Sequence, residues 1–254
     1  MQITKLSDDR RPVLVVSHER SGTHFTMNTL AKCFGYVSNP WFDVDRNQLN
    51  INYFAPHVLR QALLGIARMR PANVLKSHHE FEFFSQIVDE LADTFHVIYV
   101  HRHPADCLAS YWRLLNSLKW MEGPRCATAL EFATTPPMAR LMRYQYRQYV
   151  TMLDRWANHV RGWLAAAERN PAIRVVRYED LARDFPGTVQ NLGHALGLTP
   201  QALERPSPTE NVIMGAFQPA PGADNRVVIT DLALRTHPEL MDRLGYRQSV
   251  AIAG

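Results

Sequence analysis

The sequence predicts an α/β fold, with a central, mostly parallel sheet that is flanked by helices on both faces. Three short runs rich in β-branched residues indicate buried strands, at residues 12–17, 95–101 and 173–178. Helical segments separate these runs, and such alternation is typical of an open parallel sheet. The 254 residues suit one domain, which we expect to span residues 1–254.

The first predicted unit is a strand, a turn that contains glycine, and a helix. The turn occupies residues 18–22, directly after the first strand. Apolar residues at helical spacing then predict a helix over Thr23–Phe34, and Gly35 suits the position after its end.

The remaining elements follow from the same patterns. Residues 39–58 show no period and predict a loop, whereas Asn73–Ser77 predicts a short strand. Pro104 suits the first turn of a helix, where its missing N–H costs little. We further expect helices over 58–69, 81–91 and 179–196, one long or two short helices over 138–168, irregular stretches over 119–137 and 199–230, and a short helix over 238–244.

Charge and composition argue against several functional classes. The net charge of +4 is mild, and Lys and Arg are spread along the chain, so we expect no nucleic-acid partner. Cys33, Cys107 and Cys126 are too few and too scattered for a disulfide scaffold or a zinc site. We therefore expect no metal and a reduced, cytoplasmic compartment. No run approaches the roughly 20 apolar residues that a membrane span needs.

Polar residues follow the predicted strands at their carboxyl ends, where open parallel sheets bind ligands. The first set is SHERSGTHF at residues 17–25. A glycine turn that leads into a helix directs several backbone N–H groups at one point, which favours a phosphate or sulfate. Arg20, Ser21 and Thr23 add donors, although an ordinary capped turn uses the same residue types.

The second set is KSHHE at residues 76–80, directly after a short strand. His78 can take a proton from an attacking hydroxyl, and Lys76 can stabilise negative charge on a leaving oxygen. A solvated loop with two surface histidines is the alternative interpretation.

The third set surrounds the end of the strand at residues 95–101. Arg102 stands at the end of this strand, and Ser110 lies on the helix that follows. Together they can clamp a phosphate. Alternatively, Arg102 pairs with Asp106 and only stabilises the turn.

In this order, the three sets resemble the sulfotransferase family that uses 3′-phosphoadenosine 5′-phosphosulfate (PAPS). SHERSGTHF resembles the family's 5′-phosphosulfate loop, LKSHHE its K-T-H segment and YVHRHPADCLASYW its 3′-phosphate motif. RYEDLARDF at residues 177–185 resembles a fourth family segment. The resemblance covers roughly residues 12–200. It implies the P-loop-like sulfotransferase fold, which agrees with the α/β prediction.

The resemblance also implies which residues bind the donor. Arg20 would contact the bridging oxygen of the phosphosulfate, and Phe25 would stack on adenine in place of a tryptophan. Arg226 is the basic residue in PGADNRVVITDL, where the family carries R-K-G-x-x-G-D-W, and it would substitute for that segment. The full expected set for the 5′-phosphosulfate, the adenine and the 3′-phosphate is Arg20, Ser21, Gly22, Thr23, His24, Phe25, Arg102, Ser110, Tyr178 and Arg226.

For catalysis, the resemblance implies that His78 is the general base and Lys76 its partner. Arg20 would stabilise charge, because arginine does not give up its proton in proteins. Glu80 is a second candidate base, whereas His79 should point elsewhere because side chains alternate along an extended segment.

The implied activity is sulfuryl transfer from PAPS to a hydroxyl or amine of a small-molecule or glycan acceptor. Residues 39–57, 113–140 and 205–225 are expected to line the acceptor pocket, and the oligomeric state is open. A P-loop kinase is one alternative, but Thr23 follows Gly22 where such a kinase needs lysine. A non-catalytic phosphonucleotide-binding module is the other.

Overall fold

The computed structural model describes residues 10–43, 54–69, 73–207 and 225–247. Within these ranges, five parallel strands form one sheet in the order β2-β3-β1-β4-β5. This confirms the predicted parallel sheet. The strands are β1 (Val13–Ser17), β2 (Val37–Asp43), β3 (Asn73–Ser77), β4 (His96–His101) and β5 (Ile173–Arg177).

Helices cover both faces of the sheet. They are α1 (Thr23–Phe34), α2 (Pro56–Met69), α3 (Val88–Thr94), α4 (Pro104–Ser117), α5 (Ala129–Thr134), α6 (Met152–Arg169), α7 (Tyr178–Arg183), α8 (Phe185–Leu196), α9 (Arg226–Thr236) and α10 (Pro238–Arg243). The described part of the chain also contains 3-10 helices at Phe81–Phe83 and Ala139–Tyr144. Within the described ranges, none of the helices combines the length and the apolar character that crossing a bilayer would take.

The central strand β1 is apolar on both sides, because helices pack on each face. Val13 and Val15 lie in a cluster with residues of α1 and α8, whereas Leu14 and Val16 lie in a cluster with residues of α2, α3 and α6. Burying such a side chain contributes roughly 1.5–3 kcal/mol. A third cluster joins α4, α5, α6, α9 and α10. These three cores fix the strand ends that carry the polar sets.

The loop expected over residues 39–58 is wrong at both ends, because β2 occupies Val37–Asp43 and α2 begins at Pro56, whereas residues 44–53 lie outside the described residues. The absence of a clear hydrophobic period suggested a loop. However, β2 is an edge strand, and an edge strand tolerates a residue such as Pro40 that cannot donate to the sheet.

Several predicted helix bounds also need correction. The helix expected over 179–196 is divided at Asp184, whose side chain accepts a hydrogen bond from the Gly187 N–H and caps α8. The helix expected over 81–91 is a 3-10 turn followed by α3. The stretch over 138–168 holds a 3-10 helix and α6, and the irregular stretches contain α5 and the start of α9. Residues 208–224, within the stretch expected to be irregular over 199–230, lie outside the described residues.

Candidate active site

The polar sets lie side by side at one edge of the sheet. Strand β1 pairs with β3 on one side and with β4 on the other, with Val16 opposite Ser77 and Ser17 opposite Val100. The β1–α1 loop, residues 18–22, therefore lies between the segment that begins at His78 and the segment that begins at Arg102.

Two residues of the β1–α1 loop have left-handed backbone conformations. Gly22 has φ 101°, and a Cβ atom there would lie 2.2 Å from Cδ2 of Tyr178. The Tyr178 ring therefore packs directly on the loop, and only glycine fits at position 22. Arg20 has φ 68°, a conformation that costs a residue with a side chain roughly 1–2 kcal/mol.

The N-terminus of α1 is open to an anion. No described side chain caps it, and its first turn contains no acidic residue. The first N–H groups of a helix lack partners within the helix and lie at the positive end of its dipole. Ser17 and Thr23 approach each other at this point, with 2.5 Å between their hydroxyl oxygens.

Two arginines converge beside this helix end. The Nε of Arg20 donates to the Ser110 hydroxyl at 3.0 Å, and Arg102 donates to the Arg20 carbonyl oxygen at 3.4 Å. The Arg102 guanidinium also lies 4.3 Å from the centre of the Tyr178 ring. Burial lowers the pKa of Arg20, and the nearby charge of Arg102 lowers it further. The Nε of Arg102 is buried without a hydrogen-bond partner among the described residues. An anion would neutralise both guanidinium groups.

His78 lies on the other side of the loop in a defined tautomer. Its Nδ1 is 2.9 Å from the carbonyl oxygen of Ser17. Because a carbonyl only accepts, Nδ1 carries a proton, and in the neutral ring Nε2 then has the lone pair. That Nε2 lies 3.4 Å from Nζ of Lys76. The sequence set at residues 76–80 therefore contains a basic nitrogen with a cation beside it.

The two residues that follow His78 are buried and have structural contacts. His79 Nδ1 lies 3.1 Å from the Ser77 hydroxyl, and the ring packs edge-on against Phe83 and Tyr144. Glu80 accepts from the Tyr146 N–H at 2.8 Å, and burial raises its pKa. These contacts join the segment after β3 to residues 144–146.

The other residues that were expected to bind PAPS lie around the same loop. Ser21 is fully buried, with its hydroxyl 3.6 Å from the Cys107 sulfur, and the half-buried His24 and Phe25 belong to the first turn of α1. Phe25 contacts the Tyr178 ring edge-on, with 6.0 Å between centroids.

Arg226 is at the start of α9 and pairs with Asp106 at 2.6 Å. The alternative interpretation of the sequence had paired Asp106 with Arg102 instead. The role of Arg226 in donor binding stays a prediction.

Residues 10–213 match the family described as the sulfotransferase domain. This chain belongs to the sulfotransferase family. Sulfotransferase 2A6 of Mus musculus is 30% identical over 113 residues, which cover 42% of this chain and 34% of that protein. A 3-alpha-hydroxysteroid sulfotransferase of Cavia porcellus is 31% identical over 101 residues, which cover 40% of this chain and 31% of that protein. The chain thus spans about a third of the length of these relatives.

A solved structure agrees with the predicted sulfotransferase fold. The crystal structure of mouse sulfotransferase SULT7A1 complexed with PAP aligns with a TM-score of 0.52 at 16% identity. The alignment covers 75% of this chain and 62% of the mouse protein. At this level of identity, the likeness concerns the fold alone.

The sequence interpretation missed one buried network of this sulfotransferase-family chain. Arg155 on α6 binds the carboxylate of Glu19 through two nitrogens, each 2.8 Å from an oxygen. Burial alone would raise the pKa of Glu19, but Arg155 holds it well below its ordinary value. The signal was present, since Arg155 interrupts an apolar helix face that includes Met152, Trp156 and Trp163.

Proposed function

We propose that this chain transfers the sulfuryl group of PAPS to a hydroxyl or amine of a small-molecule or glycan acceptor. In this proposal His78 is the general base. The observation that carries it is the meeting of Arg20, Arg102 and Ser110 beside the open N-terminus of α1, with His78 across the same loop.

The arrangement suits a donor with an anionic group at each end. The N-terminus of α1 with Thr23 would hold the 5′-phosphosulfate, and Arg102 with Ser110 would hold the 3′-phosphate. The unpaired Nε of Arg102 and the two adjacent guanidinium groups support this assignment. Phe25 and Tyr178 offer ring surfaces for adenine.

The proposed step needs a base on one side of sulfur and positive charge on the other. His78 Nε2 takes the acceptor proton while the acceptor oxygen forms a bond to sulfur. The bond from sulfur to the bridging phosphate oxygen breaks, and its electron pair stays on that oxygen. Arg20 and Lys76 stabilise the charge that develops there, as in phosphoryl transfer by positioning and electrostatics. The product is 3′,5′-adenosine bisphosphate (PAP).

Aromatic side chains near the base support an acceptor with an apolar face. The Tyr144 ring lies edge-on to His78, with 5.7 Å between centroids. Nearby, the exposed rings of Phe54 and Tyr146 pack on each other and on the buried Phe83, with centroids 5.1–5.6 Å apart. We therefore add residues 144–146 to the segments that the sequence assigned to the acceptor pocket.

A transfer assay separates the proposal from a kinase. The protein is incubated with a panel of phenols, alcohols, amines and saccharides, using labelled PAPS with EDTA in one arm and labelled ATP with Mg²⁺ in the other. Label transfer from PAPS without metal is the expected result. Transfer from ATP alone, or PAP binding without transfer to any acceptor, would contradict it.

A further inference from the structure

We infer that the buried pair of Glu19 and Arg155 positions Arg20 for sulfuryl transfer. The inference rests on the proposed function, because it gives Arg20 its role on the donor. It assigns to α6 a part in catalysis that acts through the β1–α1 loop rather than through contact with the substrate.

The carboxylate of Glu19 is held on both oxygens. Arg155 donates to Oε1 and to Oε2 at 2.8 Å each, and the Tyr111 hydroxyl donates to Oε1 at 3.0 Å. Arg155 is fully buried, and Glu19 is 5% exposed. A bidentate pair of this kind fixes orientation as well as distance, which makes it suited to hold a loop.

The backbone of Glu19 is fixed as well. Its carbonyl oxygen lies 3.1 Å from the Cys107 sulfur and 3.0 Å from His18 Nδ1. If Nδ1 of His18 donates there, its Nε2 is free to accept from Arg155, and the two lie 2.7 Å apart. Glu19 is thus held by α4 through its backbone carbonyl oxygen and by α6 through its carboxylate, at the point where the chain turns.

The next residue is Arg20, whose left-handed conformation persists only if its surroundings hold it. A rotation of the peptide between residues 19 and 20 would move the guanidinium away from Ser110, its partner at 3.0 Å. Glu19 and Arg155 therefore determine where the charge of Arg20 lies.

The same face of α6 also holds the base. His159 follows Arg155 by one turn, and its Nε2 lies 3.2 Å from the carbonyl oxygen of His78. The Tyr99 hydroxyl lies 3.2 Å from His159 Nδ1, so Nδ1 can accept while Nε2 donates to His78. One helix face thus sets the position of the cation and of the base relative to each other.

The test is a double-mutant cycle with Glu19→Gln and Arg155→Met, with kcat/KM for PAPS measured per folded molecule. Unfolding midpoints and PAP titration give the folded fraction. We expect each single variant to lose on the order of 30-fold and the double variant about the same, because both changes remove one interaction. Arg155→Lys, which keeps the charge without the bidentate geometry, should lose on the order of tenfold.

Two controls make the outcome decisive. Leu63→Ala truncates a buried residue of α2 and should lower the unfolding midpoint while leaving kcat/KM per folded molecule unchanged. Arg20→Ala is measured in parallel. If the pair variants lose only folded protein, as Leu63→Ala does, the positioning role is wrong and the proposed function stands. If Arg20→Ala keeps full kcat/KM, both the inference and the role proposed for Arg20 are overturned.

Discussion

At the scale of single residues, the site contains two arginines whose positive charges repel each other and, across the β1–α1 loop, His78 with a proton on Nδ1. Arg20 and Arg102 lie close enough for the charge of Arg102 to lower the pKa of Arg20. Nearby carboxylates are engaged elsewhere, since Glu19 binds Arg155 and Asp106 binds Arg226. Two adjacent arginines whose positive charges are not balanced by these carboxylates are typical of a site for a multiply charged anion.

The base assignment predicts a selective loss of turnover. His78→Ala should lower kcat for sulfuryl transfer by on the order of a hundredfold, because the acceptor proton loses its receiver, and should leave PAP affinity nearly unchanged. Steady-state kinetics and PAP titration measure the two quantities. His194→Ala, at an exposed position on α8, is the matched control. Normal turnover of His78→Ala would reject the assignment.

At the scale of elements, the β1–α1 loop depends on close packing against α7. Tyr178 is the first residue of α7, and its ring occupies the space beside Gly22, where φ is 101°. A methyl group there would push the ring away and strain the backbone. Because the same ring lies under the Arg102 guanidinium, one displacement would affect both ends of the proposed PAPS site.

Gly22→Ala should therefore weaken PAP binding by more than tenfold, since the loop amides and Tyr178 can no longer keep their positions. Gly65→Ala is the matched control, because position 65 lies inside α2 with no atom within 4 Å of an added Cβ. It should raise stability by about 0.5–1 kcal/mol and leave PAP binding unchanged. Equal PAP affinity of both variants would argue against the loop's role.

The elements also show what the sequence could and could not predict. Strands β1 and β4 were recognisable because a central parallel strand is apolar on both faces. The edge strand β2 was missed because Pro40 and a shifting register hide its pattern.

The convergence of residues 20, 102 and 110 followed from strand ends that share one edge. The apolar face of α6 marks Arg155 as buried, but it could not show the partner, because Glu19 is 136 positions away and helix periodicity carries no information about such a pairing.

At the scale of the whole molecule, the buried His18 and His101 and the half-buried His96 couple stability to pH. Burial lowers the pKa of His18, His96 and His101 from 6.5 to about 4. Between these values the unfolded chain binds protons that the folded chain does not. Stability must therefore rise with pH from about 4 to 6.5, and acidification through this window must destabilise the fold.

Urea unfolding at pH 7, 6 and 5 tests this coupling. The free energy of unfolding should fall toward pH 5, with each histidine contributing up to about 1.4 kcal/mol per pH unit. His101→Asn should reduce the slope, because position 101 then no longer titrates. A free energy of unfolding that stays constant or increases from pH 7 to pH 5 would show that these histidines are not buried in their neutral form.

The most direct test of the central claim, that separate strand ends hold both ends of PAPS, is calorimetric binding of PAP and of AMP. AMP lacks the 3′-phosphate that Arg102 and Ser110 are proposed to hold. Arg102→Ala should weaken PAP binding by roughly 10- to 100-fold and AMP binding much less, since a charge-assisted hydrogen bond contributes about 1.5–3 kcal/mol. Arg183→Ala, at an exposed position on α7, should change neither. Equal losses of PAP and AMP affinity in Arg102→Ala would contradict the account.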